Sequence, residues 1–457
     1  VGVGDMSGDV FGNGMLLSRH IRLVGAFDHR HVFCDPDPDP ARSWEERKRL
    51  YDLPRSSWAD YDLTLLSEGG AVYERSAKVV VLTPQIRARF GIAQERVSPA
   101  ELIQAMLRAS VDLLWFGGIG TYVKASTETN AEVGDKANDP LRVDAAELHA
   151  RVVGEGANLA VTQRARIEAA LGGVRINTDA IDNSAGVDTS DHEVNIKILV
   201  DGIVARGDMT EKQRDALLSE MTDEVAELVL RHNYLQTQAL SVERAAGMDR
   251  FEAQVRFMRA LEKRGHLNRA VELLPDDQEL AERMTARLPL TRPELAVLLA
   301  YAKITLYEDL LVSALPDDPD LARDLTAYFP TPLRDRFGAA VESHRLRREI
   351  IATVVTNDLV NRAGPTFVMD QVERTGMGPA DVAIAYTAMR EAYRLGDLWQ
   401  GIESLDNRIP AEAQIEMLLQ TQALLDRATF WLLVNAAGDL RRAGQASAAG
   451  IAELAPL

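Results

Sequence analysis

The chain opens on VGVGDMSGDVFGNGML, and no other stretch limits its possible folds as strongly. Gly2, Gly4 and Gly8 stand in a G-x-G-x-x-x-G spacing, and the residues behind them carry a helical pattern. In a dinucleotide-binding fold the first glycine makes a tight turn. The second admits a pyrophosphate to the backbone, and the third lets helix and strand pack closely. The phosphates then meet free N–H groups and the positive end of the helix dipole. The alternative is a glycine-rich loop without a ligand. Such a loop must follow a buried strand, and the chain opens inside the motif without an initiator methionine. A longer parent protein is therefore expected.

Two features favour the ligand. Residues 15–21 read as the remainder of the helix, and 22–27 (RLVGAF) as a buried strand ending at Asp28. An acidic residue about 20 positions past the glycines is where the fold keeps its ribose-binding carboxylate. A carboxylate there accepts from a ribose 2′-hydroxyl and repels a 2′-phosphate, which favours NAD over NADP. Arg30 close by moderates that preference.

The first 207 residues alternate short apolar runs with helical patterns. Strands are expected at 22–27, 78–82, 111–116, 150–153 and 174–178. Ser98-Pro99-Ala100-Glu101 is a capping box with proline at the first helical position, and Thr162 caps a helix that Gly172-Gly173 stops. This alternation predicts an α/β domain, a Rossmann-like doubly wound parallel sheet, over residues 1–207. The DPDPDP run at 35–40 reads as a solvated loop on the cofactor edge. From Asp208 the periodicity is helical throughout: Leu217, Met221, Val225 and Leu228, then Phe251, Val255, Met258 and Leu261. Thr291-Arg292-Pro293-Glu294 is another capping box. It opens the strongly apolar stretch 295–306, expected to be a central buried helix. Residues 208–457 are thus expected to form an all-α domain that supports self-association.

Composition excludes several partners. The net charge is −18 over 457 residues, which argues against nucleic acid or an anionic membrane. A single cysteine, Cys34, rules out an internal disulfide and fits a reducing cytoplasm. No run of about 18 apolar residues offers a membrane span.

Two further loops resemble ligand edges. Residues 111–116 run into Gly117-Gly118-Ile119-Gly120, and 150–153 into Gly154-Glu155-Gly156-Ala157-Asn158. Glycine past the carboxyl end of a strand allows close backbone approach, and the Asn158 amide offers both a donor and an acceptor. Ser190-Asp191-His192-Glu193 reads as a capping box whose serine either caps a helix or meets a ligand. His29-Arg30-His31 with Cys34 and Asp35 lacks a recognised ligand spacing, so no metal is expected. His192, Asp182 and Asp188 are polar groups that form no defensible Ser/His/Asp triad.

Taken together, GVGDMSGDVFGNGML, AFDHRHVFCDPDPD, DLLWFGGIGTYVKAS, VGEGANLAVTQ and INTDAIDNSAGVDTSDHEVNIKIL resemble the cofactor-domain blocks of the large bacterial NAD-specific glutamate dehydrogenases. LTRPELAVLLAYAKITLYEDLL, HRLRREIIATVVTNDLVNRAG and LDNRIP resemble blocks of that family's helical C-terminal region. The resemblance implies oxidative deamination of L-glutamate to 2-oxoglutarate and ammonia, with NAD as the hydride acceptor, in a homo-oligomer. It implies that Gly2, Gly4, Asp5, Met6, Ser7 and Gly8 hold pyrophosphate and that Asp28 meets the adenosine ribose. Gly117 and Gly118 would also line the cofactor, and Asn158 would face its nicotinamide end. Ser190 would meet the substrate side-chain carboxylate, although Asp191-His192-Glu193 departs from the aromatic pattern of the smaller enzymes. The family's catalytic lysine and aspartate lie upstream of such a cofactor domain, so no catalytic residue is expected in this chain. The other readings are a related amino-acid dehydrogenase and a non-catalytic dinucleotide module with a helical interaction domain.

Overall fold

Short strands, each flanked by glycine or turn residues, build the sheet that organises the first unit. A computed structural model describes residues 1–436 and 439–454. They divide into two units, Val1–Ser184 with Thr291–Pro293, and Ala185–Leu290 with the residues from Glu294 onward. The helix Ser184–Ala205 therefore belongs almost wholly to the second unit.

In the first unit we number the main-sheet strands β1 (Gly2–Val3), β2 (Gly25–Phe27), β3 (His31–Cys34), β4 (Ala71–Glu74), β5 (Leu113–Phe116) and β6 (Val152–Glu155). Their order is β6-β5-β1-β2-β3-β4. β1 is central and pairs in parallel with both neighbours, Gly2 opposite Ala26 and Trp115, and Val3 opposite Phe27 and Phe116. β6 runs parallel to β5. β2, β3 and β4 pair antiparallel, so the sheet is mixed and not wholly parallel as expected.

The physical reason is the tight turn at 28–30. Asp28 N–H donates to the His31 carbonyl (3.1 Å), and the Asp28 side chain accepts from the N–H groups of Arg30 and His31. A three-residue reversal leaves no room for a crossover helix. The reversal also carries 35–40 to the edge opposite the glycine loops, because Cys34 pairs with Gly25. That stretch is only partly solvated. Asp35 is buried and accepts from the Ser67 N–H, and Asp39 caps the helix Pro40–Asp52.

Strand alternation fills a core on each face of the sheet. Ala26 and Phe33 pack with Phe11, Met15, Leu50 and Trp58, while Phe27, Val32 and Leu114 pack with Ile86, Leu102, Ile103 and Met106. Two of the expected caps form as read. Ser98 opens Pro99–Leu107, and Thr162 accepts from the Ala165 N–H at the start of Gln163–Leu171. Three expectations fail. The first helix stops at Leu16, because residues 17–24 are turn and irregular chain. Residues 174–178 make only an isolated bridge, Arg175 to Val152. Val80–Val81 joins a separate two-stranded sheet with Arg96–Val97.

In the second unit the described residues contain helices and no strand. Phe251, Val255, Met258 and Leu261 are all buried on one face of Met248–Lys263. The apolar stretch 295–306 lies in the helix Arg292–Leu311 but is not enclosed all round. Leu295, Leu298, Leu299, Ala302 and Leu306 are buried, whereas Ala300, Ile304 and Glu308 form an exposed stripe at four-residue spacing. No helix among the described residues is long and apolar enough to cross a membrane.

Candidate functional site

Four parallel strands share one carboxyl edge, and every glycine loop singled out in the sequence leaves the sheet there. At β1 the chain has no space for side chains. A Cβ on Gly2 would stand 2.5 Å from Phe11 Cε2. Gly4 has φ +137°, a backbone state that side chains rarely adopt, and a Cβ there would meet Phe11 Cβ and Cδ2 at 2.8 Å. Its N–H donates to the Phe27 carbonyl (2.7 Å), and Trp58 Nε1 donates to its carbonyl (2.9 Å). The loop is closed by Asp5, whose Oδ1 accepts from the Ser7 N–H (2.9 Å) and hydroxyl (2.5 Å). Met6 is buried beneath it. Gly8 caps the helix Asp9–Leu16 without a side chain, so no side chain occupies its first-turn N–H groups.

The second loop packs on the first through backbone. Gly117 N–H donates to the Val3 carbonyl (2.9 Å), and a Cβ on Gly117 would lie 2.8 Å from Phe11 Cα. Gly118 lies against the Val3 carbonyl and Gly4. The third loop joins them where Ala157 N–H donates to the Phe116 carbonyl (2.8 Å), and a Cβ on Gly156 would strike Val10 Cγ1 at 2.5 Å. Asn158 at its tip is exposed, and its Oδ1 accepts from Asn183 Nδ2 (2.8 Å).

Asp28 ends β2 at the same edge and is buried. One carboxylate oxygen holds the hairpin turn. The other, Oδ2, is buried without a hydrogen-bond partner, with Arg30 Nε 3.9 Å away. Two features of this edge are compatible with a dinucleotide: glycine loops packed so tightly on Phe11 and Val10 that only backbone lies at the strand ends, and a buried carboxylate oxygen, Asp28 Oδ2, without a hydrogen-bond partner.

Sequence reading missed the group that shapes the third loop. Glu155, fully buried at the end of β6, takes Arg166 in a two-pronged ion pair at 2.7 and 2.9 Å and also accepts from the Val161 N–H (3.1 Å). Arg166 reaches Asp179 at 3.1 Å; Asp179 in turn accepts from the Leu159 N–H, and Asp182 from the Glu155 N–H. Burial pushes Glu155 up to about 7 against the downward pull of Arg166, and the negative charges of Asp179 and Asp182 add to the rise. The pair spans eleven positions across a loop, a spacing that no local pattern marks.

Ser190 is placed differently from its expected role as a helix cap. The helix begins at Ser184, so Ser190 lies in its second turn, exposed, with its hydroxyl donating back to the Gly186 carbonyl (3.4 Å). The S-x-x-E pattern is present, but the backbone is already helical before it.

The family described as bacterial NAD-glutamate dehydrogenase, catalytic domain, matches residues 1–243, and that described as glutamate dehydrogenase, C-terminal, matches 287–456. The NAD-specific glutamate dehydrogenases of Halomonas elongata and Pseudomonas aeruginosa are each 54% identical to this chain over 96% of its length. That of Mycobacterium tuberculosis is 49% identical over 95%. The chain spans 27% of the length of each of these relatives. With more than half of its residues matched by one family and long stretches shared with these relatives, the chain belongs to the bacterial NAD-glutamate dehydrogenase family.

Proposed function

We propose that this chain supplies the NAD-binding part and the helical C-terminal part of an enzyme that oxidatively deaminates L-glutamate to 2-oxoglutarate and ammonia. The observation that carries the reading is the convergence of three glycine loops on one sheet edge, backbone against backbone, beside a buried carboxylate with one free oxygen. Gly2, Gly4, Asp5, Met6, Ser7 and Gly8 hold the pyrophosphate, and Asp28 the adenosine ribose. Gly117 and Gly118 also line the cofactor, and Asn158 faces the nicotinamide ring, which when bound accepts hydride from the substrate α-carbon. Ser190 meets the substrate side-chain carboxylate. We assign no general acid or base among these residues. The sheet is Rossmann-like in this reading, with a cofactor domain over 1–207 and a helical domain over 208–457. That helical domain supports a cytoplasmic homo-oligomer, consistent with the single buried cysteine and with apolar helix faces such as the exposed Ile304 stripe.

Cofactor preference tests the assignment. The chain is expected to bind NAD more tightly than NADP. Asp28→Asn keeps the oxygen that holds the turn and removes the charge, so it should narrow the gap by about 1–2 kcal/mol, the scale of a charged hydrogen bond. Calorimetric titration of both cofactors reads this directly. Equal affinities in the unaltered chain would remove Asp28 from the ribose site.

A further inference from the structure

Within the helical unit, Asp188, His192 and His232 bring one ligand atom each to within 4.8 Å of one another. Asp188 and His192 are one turn apart on the helix Ser184–Ala205, and His232 comes from the helix Thr222–Ala246. His232 Nδ1 lies 2.7 Å from one Asp188 oxygen, and His192 Nε2 lies 3.9 Å from the other. His192 is fully buried, yet neither of its ring nitrogens has a hydrogen-bond partner. A buried imidazole normally spends at least one nitrogen on a partner. Here the ring stacks on Tyr328 at 4.2 Å and on His232 at 5.8 Å between centroids.

We propose that Asp188, His192 and His232 bind a divalent transition-metal ion of the zinc class, with water completing the coordination. This goes beyond the sequence expectation of no metal and does not depend on the proposed activity. Two imidazoles and one carboxylate form a nitrogen-rich set that suits zinc or cobalt far better than magnesium or calcium. Both ring nitrogens of the buried His192 are without a hydrogen-bond partner, which leaves the imidazole a lone pair to offer an ion. The partly exposed Asp188 and His232 give an ion access from solvent. The other charged groups at the cluster are Asp191, pushed up by its own burial and by Asp188, and Lys303, whose amine burial brings down to about 7 while it donates to Gln236. An ion here would tie together two long helices, and two of its ligands, Asp188 and His192, flank Ser190 by two residues on either side.

The test uses the whole chain, stripped with a chelator and titrated with zinc chloride by calorimetry and with cobalt chloride by visible absorption. One equivalent is expected to bind, with cobalt bands characteristic of nitrogen and oxygen ligands, and with no competition from excess magnesium. His232→Ala, at a partly exposed position, should weaken zinc by at least about tenfold, the scale for disturbing a metal shell. His29→Ala, at the separate Asp5–Asp28–His29 cluster, should leave zinc affinity unchanged. Zinc should also raise the melting temperature of the unaltered chain but not that of His232→Ala. No stoichiometric binding, equal binding by His232→Ala, or loss of binding in His29→Ala would each overturn the proposal. If His232→Ala does not fold, His232→Gln, which keeps most of the side chain's bulk, takes its place in the zinc titration, and the cobalt spectrum of His29→Ala should match that of the unaltered chain.

Discussion

Replacing Arg166 by methionine is expected to destabilise the first unit by about 3–5 kcal/mol at pH 8, the range for removing one partner from a buried ion pair. Glu155 would then be fully buried beside Asp179 and Asp182 without the guanidinium that pairs with it. The deficit should depend on pH, and its sign follows from linkage. Glu155 already sits above the ordinary carboxylate value of 4.5, near 7, because burial disfavours its charge. Without Arg166 it rises further. At pH below 4.5 the group is protonated in both folded and unfolded chains, so the variant loses little more than hydrogen bonds. Between pH 4.5 and 7 the unfolded chain releases the proton while both folded proteins retain it, so parent and variant lose stability in parallel; above 7 the parent releases it too, and only the variant continues to lose stability. Urea unfolding at pH 4.5 and pH 8 should show the gap between variant and parent widening with pH. Adding Glu155→Gln to the variant should recover most of the loss at pH 8. A gap independent of pH would mean that Arg166 acts through packing of its stem and not through charge.

Gly4→Ala is expected to lower stability by about 2–4 kcal/mol, summing backbone strain at φ +137° with overlap against Phe11. It should also weaken NAD by roughly tenfold or more, since each 1.4 kcal/mol is a factor of ten and the loop that moves is the one proposed to hold the pyrophosphate. Gly91→Ala is the matched control. Gly91 ends the helix Pro84–Phe90 at φ +67°, with open space where its Cβ would stand. It should cost only about 1 kcal/mol of conformational strain and leave NAD affinity unchanged. Thermal unfolding and cofactor titration on the three proteins separate the two costs. Unaltered NAD binding by Gly4→Ala would disconnect the glycine cradle from the cofactor.

How much could be read from the sequence depended on the range of the signal. Caps and glycine loops are local devices, so Ser98, Thr162, Gly4 and the Gly117-Gly118 pair were legible from neighbouring residues alone. β3 was not. HVFC is four residues of buried strand with no alternation to announce it, and its pairing depends on an aspartate closing a three-residue turn. Ser190 shows the converse error, a correct local pattern overridden because the helix had already begun at Ser184. Partners that meet only in three dimensions were invisible. Glu155 needed Arg166 across a loop, and Asp188 and His192 needed His232 from a second helix forty positions on. The residues were in view; their juxtaposition was not.

The uneven pairing of the sheet has a kinetic consequence. β2 and β3 are joined by three residues and form a hairpin, a structure that assembles on the order of microseconds. β1 must instead be closed in by β5, more than a hundred residues later in the chain. Such remote pairings are slow because a long loop has to be ordered before any contact rewards it. The hairpin carrying Asp28 should therefore acquire protection from hydrogen exchange early in refolding, and the Gly4 amide, which donates to Phe27, soon after it, while the Gly117 amide, which donates to Val3, remains open. In this order of events the two-residue strand at the heart of the sheet waits half-paired for its second neighbour.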